Sequence, residues 1–123
     1  MLTAFIIGLL SVVALAIVKI LRMTIKWVSD RIKERLAARE NHKVIFADMR
    51  ETVDTITREQ KSKQTEYSMD ELEKMCQESP FVFADYDIAT GEVNNYTGIN
   101  AHEVDPEIKK KLRERGGMVV FDG

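Results

Sequence analysis

The residues of this chain that could do chemistry include an acidic pair followed closely by a glycine. Asp85 and Asp87 begin a stretch, Asp85–Gly91, that starts like a calcium-binding loop. Such a loop takes oxygen ligands from alternate positions and has glycine at its sixth position. Here the third ligand position holds Ala89, and Gly91 comes one residue late. We therefore expect the two carboxylates to be solvated and to hold no metal.

The other reactive side chains do not form a recognisable catalytic set. The single cysteine, Cys76, falls in a predicted helix, and His102 is far along the chain, so no nucleophile–base pair is indicated. The sequence contains no phosphate loop, dinucleotide fingerprint or zinc-ligand spacing. One cysteine cannot form an internal disulfide, which fits a reducing compartment. We expect no catalytic, cofactor-binding or metal-binding residue and no small-molecule substrate, and hence no enzyme activity.

The strongest pattern in the sequence is the apolar run at the N-terminus. Residues 1–18 carry no charged side chain, and the first charge is that of Lys19. Extended to residue 21, the run reaches the ~20 residues that a membrane-spanning helix needs. Ala14–Ala16 fits a small-x-small cleavage site, but the basic residues follow the run instead of preceding it, which favours a retained anchor. The sequence predicts a single-pass transmembrane helix over residues 1–21.

Basic residues crowd the segment after this run. Residues 19–43 contain eight Lys and Arg against three acidic residues, and Lys and Arg close to a span favour the cytoplasmic side. This predicts a protein of the inner or plasma membrane with its N-terminus outside and its C-terminal domain in the cytoplasm. The residues expected at the membrane interface, against anionic headgroups, are Lys19, Arg22, Lys26, Trp27 and Lys33.

Residues 22–66 are predicted to form a long helical stalk, because the segment contains no Gly or Pro. A heptad written through it keeps apolar residues at a and d on both sides of a polar interruption at Arg35, Arg39 and His42. This pattern is typical of a coiled coil. The first apolar block also suits a helix lying on the membrane surface or packing on another membrane protein. The residues expected to make the oligomer or partner contact are Ile25, Val28, Ile32, Phe46, Met49, Val53 and Ile56.

Residues 67–123 are predicted to form a small α+β domain. A first helix stops before Pro80, and two strands flank a turn at residues 89–91. A second helix begins at Asp105–Glu107, with Asp as cap and Pro in the first turn, and a short strand closes the chain. The expected core residues are Leu72, Met75, Phe81, Phe83, Tyr86, Ile88, Val93, Tyr96, Ile99, Val104, Ile108, Leu112, Val119 and Phe121.

The basic run Lys109–Arg115 in the second of these helices has two interpretations. Cations near a helix C-terminus complement its dipole, which is the simpler one. The other is an anion-binding patch. A domain of this size is marginally stable by itself, so self-association or a partner would help it.

Charge is divided unevenly along the chain, and this bears on the partner. Residues 19–63 carry twelve basic and seven acidic residues, whereas residues 64–123 carry six and thirteen. An acidic distal half argues against nucleic-acid binding. We expect a non-catalytic, membrane-tethered adaptor or inhibitor that presents its small domain to a protein partner or to further copies of itself. The alternatives are a structural or accessory subunit of a larger membrane complex, and a small enzyme or anion-binding module.

Overall fold

The structure, a computed structural model, describes residues 2–12, 15–59 and 69–122. Helices and strands alternate irregularly along the chain. In order they are α1 (Leu2–Leu10), β1 (Ala16–Met23), α2 (Ile25–Ala38), β2 (His42–Asp48), α3 (Met49–Glu59), α4 (Met69–Glu78), β3 (Phe81–Asp87), β4 (Val93–Val104), α5 (Pro106–Glu114) and β5 (Met118–Asp122).

The strands form one mixed five-stranded sheet in the order β1-β4-β3-β2-β5. β1 runs parallel to β4, and the pairs β4–β3, β3–β2 and β2–β5 are antiparallel. Helices α1, α3 and α4 pack on one face of the sheet, whereas α2 and α5 pack on the other. The strands β1 and β5 therefore form the two edges of a three-layered α+β unit.

The central strands are apolar on both faces, and this is what allows helices to pack on each side. All four residues of Val44–Ala47 in β2 and of Phe81–Ala84 in β3 are buried. On the α2–α5 face, the Phe46 ring stacks on those of Phe81 and Phe83, with centroids 5.8 and 4.8 Å apart. Strands buried on both sides have continuous apolar runs instead of the alternation of a half-exposed strand.

The prediction of a transmembrane helix over residues 1–21 is wrong. The apolar run is divided between α1, a nine-residue helix about 14 Å long, and strand β1. No helix in the described part of the chain has both the length and the apolar character required to cross a bilayer. The predictions of a single-pass protein and of its location in the inner or plasma membrane are therefore wrong as well.

The physical reason is that the apolar run has a protein surface to pack on. Phe5, Ile6 and Leu9 of α1 are fully buried in the same cluster as Ile45 and Val82 from the central strands. Ile17, Val18 and Ile20 in the second half of the run are β-branched and suit an extended strand. The surface that covers α1 comes from short apolar strands of the sheet and not from a second long apolar helix.

The predicted long stalk, with its coiled coil, is also wrong. Between residues 25 and 59 the chain forms α2, β2 and α3 in place of one helix. The break after α2 occurs without Gly or Pro, because Asn41 adopts a left-handed backbone (φ 57°), which Asn tolerates better than most residues. Residues 60–66, at the end of the predicted stalk, lie outside the described residues.

The elements expected after residue 68 occur in the expected order, as α4, β3, β4, α5 and β5. Asp105 caps α5 by accepting from the Glu107 amide at 3.2 Å, and Pro106 opens the helix. Of the fourteen predicted core residues, seven are buried and six are half-buried, whereas Ile88 is 51% exposed. These elements share their sheet with β1 and β2 from the preceding segment.

Candidate functional site

The residues predicted for the membrane interface lie on two elements. Lys19 and Arg22 are exposed on strand β1, and the others lie on α2. Lys26 pairs with Asp30 at 2.9 Å on the solvent side of that helix. The Trp27 ring is half-buried against Phe83, with centroids 6.2 Å apart. Trp27 therefore contributes to the core, while Lys19 and Arg22 form no ion pair with any described residue.

Strand β1 presents an apolar edge that the rest of the described chain leaves uncovered. Its inner side pairs with β4 from Ala16↔Thr97 to Met23↔Val104, and no described strand lies on its outer side. Leu21 is 77% exposed and Val18 is 42% exposed. We call this strand, with its free outer side, the β1 edge.

The residues predicted for the stalk contact separate onto the two faces of the sheet. Val28, Ile32 and Phe46 are buried together on the α2–α5 face. Met49 and Val53 are buried on the opposite face. The side chain of Ile56 lies outside the described part, and Ile25 stays 43% exposed at the start of α2. Residues that share one heptad register in the sequence thus belong to two separate hydrophobic cores and do not form a coiled-coil interface.

Several of these residues line an open groove of about 760 Å³ between α2 and α5. Its floor comes from β2 and β5, and its walls come from the facing sides of the two helices. Three cations lie along it. We call it the α2–α5 groove; its lining residues are Ile25, Val28, Ser29, Ile32, Lys33, Leu36, Phe46, Ile108, Lys111, Leu112, Glu114, Arg115, Val119, Val120, Phe121 and Asp122.

Arg35, in the last turn of α2, joins this helix to the sheet. Its guanidinium lies 3.0 Å from the Asp85 carboxylate and donates at 2.7 Å to the Thr97 hydroxyl. It also donates to the Asn95 carbonyl at 3.1 and 3.2 Å, and the Asn95 amide donates to Asp85 at 3.1 Å. Both Asp85 oxygens are thus occupied, which makes this cluster a structural link.

The second carboxylate of the acidic pair also has a structural role. Asp87 accepts from the Ala89 and Thr90 amides at 2.8 and 3.3 Å and so stabilises the turn between β3 and β4. Asp87 and Asp85 thus contribute to different local structures. Among the described residues, no group of three His, Cys, Asp or Glu is placed to hold a metal ion.

Cys76 is buried in α4, on the face covered by α3 and α4. Burial raises the pKa of its thiol, and the Arg50 charge opposes this only in part. A thiol with a raised pKa is protonated at neutral pH and is a poor nucleophile. Nearby, Asp48 is buried and caps α3 through the Arg50 and Glu51 amides at 3.1 and 3.3 Å.

The basic run Lys109–Arg115 divides its charges among different surroundings. Arg113 pairs with Glu51 of α3 at 3.2 Å. Lys111 and Arg115 line the α2–α5 groove, whereas Lys109 and Lys110 are exposed elsewhere on α5. The run therefore contributes two cations to a concave surface, which helix-dipole reasoning alone does not require.

No family model, curated protein or solved structure matches this chain. The two candidate surfaces thus stand on geometry alone. Sequence patterns could have indicated the β1 edge through its β-branched content, Ile17, Val18 and Ile20. The groove has no such signal, because residues about 80 positions apart form its two walls.

Proposed function

We propose that this chain is a non-catalytic protein-interaction module whose β1 edge takes up an extended, acidic segment of a partner protein. The observation that carries the proposal is the exposed, apolar, eight-residue edge strand. Adding a strand to such an edge combines backbone hydrogen bonds with side-chain contacts at alternate positions. The structural roles of Asp85 and Asp87 and the buried Cys76 thiol support a role in binding over one in catalysis.

The first argument is the apolar surface of this strand. Five large apolar side chains in the described part are substantially exposed, and Val18 and Leu21 of β1 are two of them. Fully burying a leucine side chain contributes about 1.5–3 kcal/mol. A partner strand that covers Leu21 would gain much of this energy.

The second argument is charge. Lys19 and Arg22 interrupt the apolar residues of β1, are exposed, and form no ion pair with any described residue. A second copy pairing through the same edge would bring the cations of two strands close together, which is unfavourable across a strand pair. A partner segment with acidic side chains would neutralise them. We therefore favour a foreign, acidic strand over self-association.

The test begins with a photo-crosslinking amino acid placed at Leu21 of the full chain in the cells that produce it. Ile88 is the matched control site, because it is also apolar and is 51% exposed, on the hairpin between β3 and β4. We expect Leu21 to crosslink to one partner segment and Ile88 not to do so. Equal crosslinking at both sites, or crosslinks from Leu21 to a second copy of the chain, would contradict the proposal.

The crosslinked segment is then synthesised as a peptide and titrated into the purified chain. Leu21→Asp should weaken binding about tenfold or more, because it removes apolar contact and repels an acidic strand. Ile88→Asp should leave affinity unchanged. Hydrogen exchange gives the reading specific to strand addition, since the outward amides of β1 should become protected only in the complex.

A further inference from the structure

We propose that the α2–α5 groove binds a single-chain amphiphile with an anionic head, namely a long-chain alkyl carboxylate. The alkyl chain would lie along the floor between the helices, and the carboxylate would meet Lys111 and Arg115. This site is separate from the β1 edge, and its ligand is independent of the protein partner proposed above.

The size and lining of the groove suit a small ligand. Its volume of about 760 Å³ falls within the roughly 300–1,000 Å³ of ordinary ligand pockets. Such pockets are mostly apolar with a few charged or polar groups that orient the ligand. Ten of the sixteen lining residues here are apolar, and the cations come from both helices.

The shape of the groove favours a slender occupant. The inward side chains of both helices are already largely covered, with Ile32 6%, Ile108 5% and Leu112 2% exposed, and so is Phe46 on the floor at 3%. These deep side chains therefore leave little apolar surface on which a partner helix, about 10 Å across, could pack. An alkyl chain is thinner and would contact the half-buried apolar residues of β5 that line the groove.

The charges along the groove favour an anion. Lys33, Lys111 and Arg115 form no ion pair with any described residue. Of the two acidic lining residues, Asp122 lies 3.5 Å from Lys43, so its charge is partly neutralised. Glu114, the other acidic lining residue, offsets one of the three cations, so the described lining keeps an excess of positive charge that a carboxylate head would complement.

The experiment titrates three probes of equal chain length into the purified full chain, each below the concentration at which it forms micelles. The probes are dodecanoate, dodecanol and dodecyltrimethylammonium, followed by the methyl NMR signals of Ile25, Val119 and Leu36. We expect dodecanoate to shift these signals saturably, dodecanol to bind more weakly, and the cation not to bind. Equal binding of the cationic and anionic probes would mean unspecific adsorption and would overturn the proposal.

Two neighbouring residues on α5 supply a matched pair of variants. Lys111→Glu reverses a charge that lines the groove, whereas Lys110→Glu makes the same change on an exposed residue outside it. We expect the first to weaken dodecanoate binding about fivefold or more, because it places a negative charge beside the carboxylate head. The second should change binding little, because Lys110 does not line the groove. Equal effects of the two variants would contradict a head-group site at Lys111.

A third variant separates this proposal from the previous one. Leu21→Asp alters the β1 edge and should leave the dodecanoate affinity unchanged. If it abolishes dodecanoate binding while the protein remains folded, the amphiphile binds at the β1 edge and the groove assignment is wrong. If dodecanoate binds in the groove but no strand partner is found, only the protein-interaction proposal fails.

Discussion

Arg35 and Asp85 lie fifty positions apart in sequence, yet a guanidinium nitrogen of one is 3.0 Å from a carboxylate oxygen of the other. Both side chains are largely buried, with 19% and 9% of their surfaces exposed. The contact connects the last turn of α2 to β3, and Asn95 and Thr97 extend it to β4. Arg35 therefore joins one helix to two strands of the sheet, by an ion pair to β3 and hydrogen bonds to β4.

Breaking this pair should destabilise the protein. Arg35→Met is expected to lower the free energy of unfolding by about 3 kcal/mol, because it leaves the Asp85 charge buried without its partner. Lys26→Met is the control, since Lys26 pairs with Asp30 at the surface and should change stability by less than about 1 kcal/mol. Chemical denaturation measures both. Equal, small effects would show that Arg35 and Asp85 are not coupled in solution.

Adding Asp85→Leu to Arg35→Met should restore part of the lost stability. The double variant removes the unpaired charge, and well-packed apolar replacements of a buried pair can be neutral or better. A double-mutant cycle measures the coupling. Strict additivity of the two single substitutions would argue against a direct interaction.

Gly117 gives the sharpest test of the fold, because it contacts a segment that the stalk prediction places far away. A Cβ at this position would lie 2.5 Å from the Thr52 amide nitrogen, and the backbone has φ +99°. Gly117→Ala should therefore destabilise the protein by about 3 kcal/mol, from strain and steric overlap together.

The control for this substitution is Gly91→Ala. Gly91 also has positive φ, +72°, but the nearest atom to a Cβ there is the Tyr86 hydroxyl oxygen, 3.8 Å away. Only the conformational cost of about 1–2 kcal/mol should appear. Thermal unfolding of the two variants side by side tests the contact between α3 and the turn that precedes β5. A smaller effect at Gly117 than at Gly91 would mean that this contact is absent.

Asp48 should make stability depend on pH in the acidic range. Burial raises the pKa of this carboxyl above its ordinary 3.8, so the folded state holds the proton more tightly than the unfolded state. The corresponding stabilisation is present below pH 3.8 and is lost as pH rises through the folded-state pKa. Asp48→Asn keeps a capping oxygen for α3 and should remove this loss, so the variant should be at least as stable as the wild type at neutral pH.

Asp48→Ala distinguishes the cap from the charge. It removes both, and loss of the cap should cost about 1 kcal/mol. Denaturation from acidic to neutral pH measures all three proteins. If Asn is as damaging as Ala at neutral pH, the carboxylate charge contributes favourably and the burial argument is wrong.

Tyr96 should make stability fall at alkaline pH. Its hydroxyl donates to the Phe5 carbonyl at 2.6 Å, and burial raises the pKa of the phenol above its ordinary 10.0. The folded state thus favours the protonated phenol, and that stabilisation is present below pH 10.0 and lost as pH rises above it. Tyr96→Phe should cost about 1 kcal/mol at neutral pH by removing the hydrogen bond to α1.

At alkaline pH the stabilities of wild type and Tyr96→Phe should converge, because only the wild type has this phenol to ionise. Absorbance titration of tyrosinate, alongside denaturation, follows the change. Parallel curves for the two proteins would show that Tyr96 is not buried beneath α1.

Local chemistry in the sequence determined the elements that follow residue 68. Asp105 and Pro106 define the start of α5 through a capping hydrogen bond and a fixed φ, and Pro80 and Gly91 mark the boundaries of β3 and the hairpin. These features depend on residues a few positions apart, so the sequence alone can indicate them.

Only the tertiary structure decided what the apolar segments pack against. An apolar run can pack equally well in a lipid core or on the face of a sheet. Which of the two it does depends on whether distant strands such as β2 and β3 provide that face. The same holds for Val28 and Val53, whose helical spacing fits a coiled coil but which lie in different cores. Periodicity reports which residues avoid water, whereas the long-range pairing of strands determines which surface covers them.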